Sequence, residues 1–389
     1  MGRIFHKIVY HVLRVLAGPF IKRMLGYHCK AVRVPSPALI VANHTTDYDP
    51  ILMALALRRH MYFVASEHIM RWGMASKLIH ALAAPIIRVK GMTETAAALK
   101  IMQRFKKGDN VCMFAEGNRT FSGVTEEVFP ATGKLVKMSG CRLITFKTSG
   151  GYFTQPRWGI KVRRGHMDGR IVRIYSPKEL APMTAEQINA LIQADIHEDA
   201  YETQSLKPVS YRTKCQAEYI ETCLYLCPSC ERLCTIHSQG GQFSCDCGLT
   251  GIYDEYGMLS GEKVPFTTVR DWCNWQERQL PRIVETSIGV IYSKENEQLY
   301  KVQPCVGMEL IAEGELSVYC EGLSLGSFVF PFSDMIDFSA TGRQTLTFVT
   351  ADGQTYELRN PYPRNALVCR QIYRIMKNFA KGEIIYGIY

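Results

Sequence analysis

Along the first sixteen residues, apolar and basic positions separate onto two helical stripes. Ile4, Ile8, Val12 and Val15 recur at helical spacing, as do Phe5, Val9 and Leu13, while Arg3, Lys7, His11 and Arg14 take the opposite side. Gly18-Pro19 breaks the run. Residues 1–28 therefore read as a basic amphipathic helix or helix pair. An apolar stripe with one-sided positive charge suits the headgroup plane of a membrane. The alternative is a first helix packed on the domain core.

From about residue 29 the pattern alternates between short apolar runs and longer amphipathic ones. Leu39–Ala42 reads as a buried strand, followed by a helix from Pro50, whose ring suits a first helical turn. Met61–Ala65 is strand-like, Ile69–Ala83 helical (Met70, Trp72 and Met74 could reach lipid or the core), and Pro85–Val89 a strand. Glu94–Lys107 is a helix with Thr93 as its cap and Gly108 as its stop, and Val111–Ala115 is the next strand. Leu143–Phe146 and Ile171–Tyr175 add strands, and Thr184 with Gln187 forms a capping box opening a further helix. The order strand, helix, strand implies an α/β domain over 29–205, with a mixed, largely parallel sheet flanked by helices.

Near residue 205 the character changes. Residues 206–256 hold a cysteine cluster. Beyond it, about 268–283 is helical, and residues 257–389 turn to short strands: Glu309–Tyr319, Leu323–Phe332, Leu346–Thr350 and Thr355–Arg359. Ala351-Asp352-Gly353-Gln354 makes a hairpin turn, and Arg364–Phe379 is a closing helix. A small antiparallel β domain with a C-terminal helix, of pleckstrin-homology shape, is expected there.

Composition narrows the class. The 389 residues are 47% hydrophobic and 21% charged, an ordinary globular balance that excludes disorder. No apolar stretch reaches the ~18 to 20 residues of a spanning helix. Charges interrupt the N-terminal apolar run and no small-residue cleavage site follows, so it does not read as a cleaved signal. The expected place is the cytoplasmic face of a membrane, as a peripheral protein. The net charge of +10 suits an anionic partner, and the first thirty residues carry six Lys/Arg and no acid.

Of fourteen cysteines, seven fall between Cys215 and Cys247. Clustered cysteines in a cytosolic chain point to metal. Cys227-Pro228-Ser229-Cys230 and Cys245-Asp246-Cys247-Gly248 have the character of zinc-ribbon turns, with Gln239–Gln242 suited to the hairpin between them. The second pair is one residue tighter than usual, which leaves Cys223, Cys234 or His237 open as a replacement ligand. Four cysteines leave no open position, so the zinc expected here is structural. Arg232 stands nearly alone among the ribbon residues, and nucleic-acid binding is not expected.

Two segments carry candidate chemistry. Asn43-His44-Thr45-Thr46-Asp47-Tyr48-Asp49-Pro50 follows the Leu39–Ala42 strand. A turn there can fold Asp49 back onto His44, fixing its tautomer and leaving the other ring nitrogen to take a proton from a hydroxyl. The bland reading makes Asp49 a helix cap and His44 a loop residue. Phe114-Ala115-Glu116-Gly117-Asn118-Arg119-Thr120 follows the Val111–Ala115 strand. In a parallel sheet both segments reach the carboxyl edge, where sites form. Gly117 permits close approach, and Arg119 offers a fork for phosphate.

This pair of segments resembles the glycerolipid acyltransferases, typified by the 1-acyl-glycerol-3-phosphate acyltransferases. Asn43, His44, Thr46 and Asp49 match their Asn-His-x-Ser-x-x-Asp motif with Thr for Ser. Phe114, Glu116, Gly117, Arg119 and Thr120 match Phe-Pro-Glu-Gly-Thr-Arg-Ser with Ala115 for Pro and Asn118 for Thr. Pro85–Gly91 fills the slot of the second motif, with either Arg88 or Lys90 as its basic residue. Leu143–Lys147 lies where the fourth motif belongs, without its prolines. The resemblance covers about residues 30–200. It implies acyl transfer from an acyl thioester, either acyl-CoA or acyl-carrier protein, to the sn-2 hydroxyl of a lysophospholipid, giving phosphatidic acid in phospholipid biosynthesis. His44 would be the base and Asp49 its orienting acid. Glu116, Gly117 and Arg119, with Arg88 or Lys90, would hold the acceptor phosphate. Another lysophospholipid or a glycolipid is the alternative acceptor, and a non-catalytic membrane adaptor the alternative class.

Overall fold

A computed structural model describes residues 2–71, 73–88 and 94–380. Among these, two compact units form. The first comprises residues up to 157 and 162–212, and the second 158–161 and everything from 213 onward. Lys90, Trp72, Val89 and Thr93 lie outside the described residues.

The first unit begins with α1 (Arg3–Leu16) and α2 (Gly18–Leu25), bent by 52° to each other. No single described helix is long and apolar enough to cross a membrane, although this bent pair passes by length and composition. Next come β1 (Tyr27–Cys29), β2 (Ala38–Ala42), α3 (Asp49–Ala56), β3 (Met61–Ser66), α4 (Met74–Ala83), β4 (Ile86–Arg88), α5 (Glu94–Lys106) and β5 (Asn110–Phe114). The unit continues with α6 (Pro130–Ser139), β6 (Arg142–Ser149), the single turn α7 (Gly151–Thr154), β7 (Met167–Tyr175), α8 (Pro177–Leu180), α9 (Ala185–Ile196) and α10 (Ala200–Leu206).

These strands make one sheet in the order β1-β7-β6-β2-β5-β3-β4, with every neighbouring pair parallel except β6 with β7. The central β2 is wholly buried, and its side chains alternate between two cores. Leu39 and Val41 face α5, α6 and α9 through Ile101, Leu135 and Ile192. Ala38, Ile40 and Ala42 face the other layer, with Met53 and Ala56 of α3 and Tyr10 of α1. Burial on both faces explains why this strand reads as a continuous apolar run.

Two expected elements are divided. The Ile69–Ala83 helix is a 3-10 turn, Glu67–Arg71, then α4, with Gly73 at φ 62° between them. A glycine at positive φ and ψ −125° interrupts the helical backbone. In the second unit Leu323–Phe332 is a hairpin of two strands, Gly322–Leu325 and Phe328–Pro331, turned at Gly326 with φ 58°.

The second unit opens with the cysteine segment and a small sheet of β8 (Ile236–Gln239), β9 (Gln242–Cys245), β10 (Thr250–Tyr253) and β11 (Leu259–Ser260). Helix α11 (Val269–Thr286) follows, then seven antiparallel strands: β12 (Tyr292–Gln303), β13 (Gly307–Val318), β14 (Gly322–Leu325), β15 (Phe328–Pro331), β16 (Met335–Thr341), β17 (Thr345–Thr350) and β18 (Thr355–Arg359). Helix α12 (Ala366–Ala380) closes it. Inside, Arg364 pairs with Glu297 at 2.9 Å, both side chains fully buried.

Candidate active site

The loop after β2 turns back on itself before α3. Asp49 is the first helical residue, preceded by Tyr48, and its carboxylate does not cap the helix. It points into the loop instead. Oδ2 accepts from the backbone N–H of Thr45 at 2.6 Å and of Thr46 at 3.0 Å. Oδ1 accepts from the hydroxyl of Thr46 at 2.7 Å. Oδ2 also lies 2.8 Å from Nδ1 of His44. With a carboxylate as acceptor, Nδ1 carries the proton and Nε2 is left as the basic nitrogen.

Each neighbour holds this loop for a stated reason. Asn43 clamps the end of β2 to β6, donating to the carbonyl of Thr148 and accepting its N–H, both at 2.8 Å. The His44 ring stacks on Phe114 at 4.5 Å, so the end of β5 sets its tilt. Side-chain exposure is 21% for His44 against 2% for Asp49. The base reaches solvent while its partner does not. A cavity of about 10 Å³ beside them, lined by His44, Glu116, Thr120 and Gly151, has room for one water.

Glu116 sits just past β5 and is buried. One carboxylate oxygen accepts the backbone N–H of His44 at 2.7 Å, the other that of Glu126 at 2.8 Å. Burial drives its pKa well above the ordinary carboxyl value, against those two hydrogen bonds. Its geometry is that of a brace for the base, not of an open ligand.

Gly117 has φ 75°, and a Cβ there would lie 2.3 Å from the Phe129 ring. The other side of this neighbourhood holds Arg88, at the end of β4, whose guanidinium is 5.1 Å from the Phe129 ring centroid. Phe129 thus brings Arg88 and Gly117 to one edge. Arg119 donates to the Gln155 carbonyl at 3.0 Å and forms an ion pair with Asp47 at 3.2 Å. Arg119 is nearly buried, whereas the Asp47 side chain is 63% exposed. The arrangement can take a proton from a hydroxyl brought to His44, and it gathers cations beside that point.

Sequence reasoning missed Gln155, Phe129 and Thr148. Each joins the site from far along the chain through ordinary side-chain or backbone contacts, and no local pattern marks them.

In the second unit the sulfurs of Cys227, Cys230, Cys245 and Cys247 lie within 4.8 Å of one another. Cys227 and Cys247 are 3.7 Å apart, and Cys230 and Cys245 are 3.8 Å apart. Tetrahedral thiolates at about 2.3 Å from one ion would be about 3.8 Å apart, so the donor set fits a metal ion such as zinc. The residues left open by the spacing are elsewhere. Cys223 meets Cys273 at 3.4 Å, His237 meets Asp246 at 3.1 Å, and Cys234 is not in the group. Burial opposes ionisation of Cys230. Hydrogen bonds from Arg232 and the neighbouring thiols outweigh it and bring that thiol down to about 6. Helix α11 supports the first cysteine turn, with Trp272 donating to the Leu226 carbonyl at 2.8 Å and Gln276 accepting the Tyr225 N–H at 2.9 Å.

Residues 27–154 match the model of the Acyltransferase family, so this segment is an acyltransferase domain. The match spans the His44 and Glu116 loops together. None of the curated proteins matches the chain. Among solved structures, the 1-acyl-sn-glycerophosphate (LPA) acyltransferase PlsC from Thermotoga maritima is similar at 16% identity. The likeness covers 52% of this chain and 81% of that one, with a TM-score of 0.43.

Proposed function

We propose that the first unit transfers a fatty acyl group from an acyl thioester to the sn-2 hydroxyl of 1-acyl-glycerol-3-phosphate, forming phosphatidic acid. The observation that carries this is the His44–Asp49 pair at 2.8 Å, in a segment that matches the Acyltransferase family. Asp49 holds the proton on Nδ1 and steadies the imidazolium that forms. Nε2 takes the hydroxyl proton, and the oxygen attacks the thioester carbonyl. The tetrahedral adduct expels the thiolate, which recovers the proton from His44, leaving an ester and a free thiol. A thioester is already activated, so a base and positioning suffice.

Arg119, with Arg88 or Lys90, binds the acceptor phosphate. Asp47 is the exposed partner of the Arg119 pair, so a phosphate arriving from solvent can displace it. Gly117 keeps that edge open, and Glu116 holds the His44 backbone in register. The donor is acyl-CoA or acyl-carrier protein.

The enzyme works as a peripheral protein at the cytoplasmic face of a membrane. Ile4, Ile8 and Leu16 of α1 are 75%, 57% and 74% exposed, an apolar stripe that lipid would cover. The four cysteines of the second unit hold a structural zinc, and its seven strands with α12 form a pleckstrin-homology-like module.

The test is thiol release by purified protein. Oleoyl-CoA or acyl-carrier protein would be offered with 1-acyl-glycerol-3-phosphate in mixed micelles, beside His44→Ala. Acceptor-dependent release, absent from the variant, is expected. Release only with another lysophospholipid or a glycolipid would move the substrate. No release with any acceptor would leave a membrane adaptor.

A further inference from the structure

The opposite edge of the same sheet holds a second concentration of charge. A cavity of about 610 Å³ lies where β2, β3 and β5 begin, bounded by Ser36, His60 and Asp109. The His44 and Glu116 loops lie where β2 and β5 end. Five strand residues at about 3.3 Å each put the two edges about 17 Å apart, so this cavity is not the acyl-transfer site.

Its walls are built by two local devices. Tyr10 of α1 donates its hydroxyl to the carbonyls of Leu57 at 2.7 Å and Ala54 at 3.2 Å, and its ring meets His60 at 5.4 Å. That pins α1 with Lys7, His11 and Arg14, at i, i+4 and i+7, along the cavity. A β-bridge between Val32 and Leu57 then sets Arg33 beside Arg58 and Arg59.

Five Lys/Arg side chains therefore line one hollow with a single carboxylate, Asp109. That carboxylate is already paired with Arg3 at 2.7 Å. Among the described residues no acid is paired with Lys7, Arg14, Arg33, Arg58 or Arg59. Two of the lining residues also hold a buried polar atom without a partner: Nδ1 of His60, a residue only 7% exposed, and Nε of Arg14. Unpaired like charges repel, and an orphaned buried nitrogen costs stability. A multivalent anion relieves both.

We propose that this cavity binds the phosphate-bearing headgroup of an anionic membrane lipid. The wall decides the source of the phosphate. Helix α1 carries Lys7, His11 and Arg14 toward the cavity and the exposed Ile4, Ile8 and Val12 stripe away from it. A lipid can therefore offer its headgroup to one face of α1 while its neighbours cover the other. This rests on the membrane reading given for α1 above.

The test uses the full chain and vesicles of phosphatidylcholine, with or without phosphatidylglycerol. Wild type should prefer the anionic vesicles, and Arg33→Ala/Arg58→Ala should lower that retention by about tenfold or more. Its retention on neutral vesicles should stay at the wild-type level. A charge-matched control, Lys134→Ala/Lys178→Ala, lies off the cavity and should keep most of the preference. Equal losses in both double variants would mean diffuse charge and overturn the proposal. So would a preference that survives Arg33→Ala/Arg58→Ala. Inorganic phosphate forms a separate arm. If it raises the wild-type melting temperature but not the variant's while vesicle retention is the same in both, the site takes a soluble phosphate and the lipid assignment falls. Wild type bound equally to both vesicles sinks this proposal alone. Wild type bound to neither sinks the membrane reading with it, while thiol release in micelles tests acyl transfer independently.

Discussion

The His44 site and the four-cysteine site are both built on turns, yet their polar groups are satisfied in opposite ways. Asp49 is met by backbone N–H groups, a hydroxyl and the His44 ring, all from its own loop. The four cysteine sulfurs face one another instead, at 3.7 and 3.8 Å across two pairs. The first arrangement is complete within the chain. The second brings four donors to one point, where a cation would supply the complementary charge. As proposed, a proton-transfer site and a metal site would thus differ in where the complementary charge comes from.

The comparison breaks hardest at the cysteines. Removing the ion with a chelator, or Cys230→Ser, should abolish the cooperative unfolding of the second unit, since ion binding there is worth about 10 kcal/mol or more. Metal content by mass spectrometry and near-ultraviolet circular dichroism would read this. A zinc-free protein with an unchanged transition would show that the thiols merely pack together.

At the other site His44→Ala should lower kcat by about 10³ to 10⁴ with little change in folding. Asp49→Asn should cost somewhat less, about 10² to 10⁴, because the amide offers Nδ1 an NH₂ or a weaker acceptor. Steady-state thiol release measures both, and activity near wild type in Asp49→Asn would refute the orienting role.

Glu116→Gln sharpens the contrast further. One of the two N–H groups now held by carboxylate oxygens would face an NH₂, a loss of about 1–3 kcal/mol. The pH dependence has a definite sign. Glu116 has a folded pKa raised above the unfolded value near 4.5, so its contribution is full below that value. It is lost as pH climbs toward the folded value, and Glu116→Gln should flatten that fall in a denaturant titration.

The smallest effect belongs to His60. Its burial lowers the pKa to about 4. The unfolded chain takes up a proton near pH 6.5 while the folded one does not, so stability should decline as pH falls from 6.5 to 4. His60→Gln should reduce that slope.

Much of this was legible in one dimension. The alternation after residue 29 encoded the sheet because a strand buried on both faces must be apolar throughout, as Ala38–Ala42 is. The capping box at Thr184 and Gln187 marked a helix start because both hydrogen bonds are local. His44 and Asp49 were readable because one turn joins them. Cys227, Cys230, Cys245 and Cys247 were readable because two turns do.

Other features depend on distant residues meeting. Gly73 sits inside a pattern apolar enough for one helix, and only the backbone shows the break. The motif alone left Glu116 as a phosphate ligand, whereas its oxygens meet the backbone of His44 and Glu126. Nothing in the spacing separated Cys247 from Cys223, Cys234 or His237 as the fourth ligand. The sequence by itself determined which chemistry-bearing residues meet within a turn, because short turns and helical periods are local. The tertiary structure decided which groups stay paired and which stay open. That choice depends on strand order and on burial, which bring Thr148 to Asn43 and Arg33 to Arg58 across the fold.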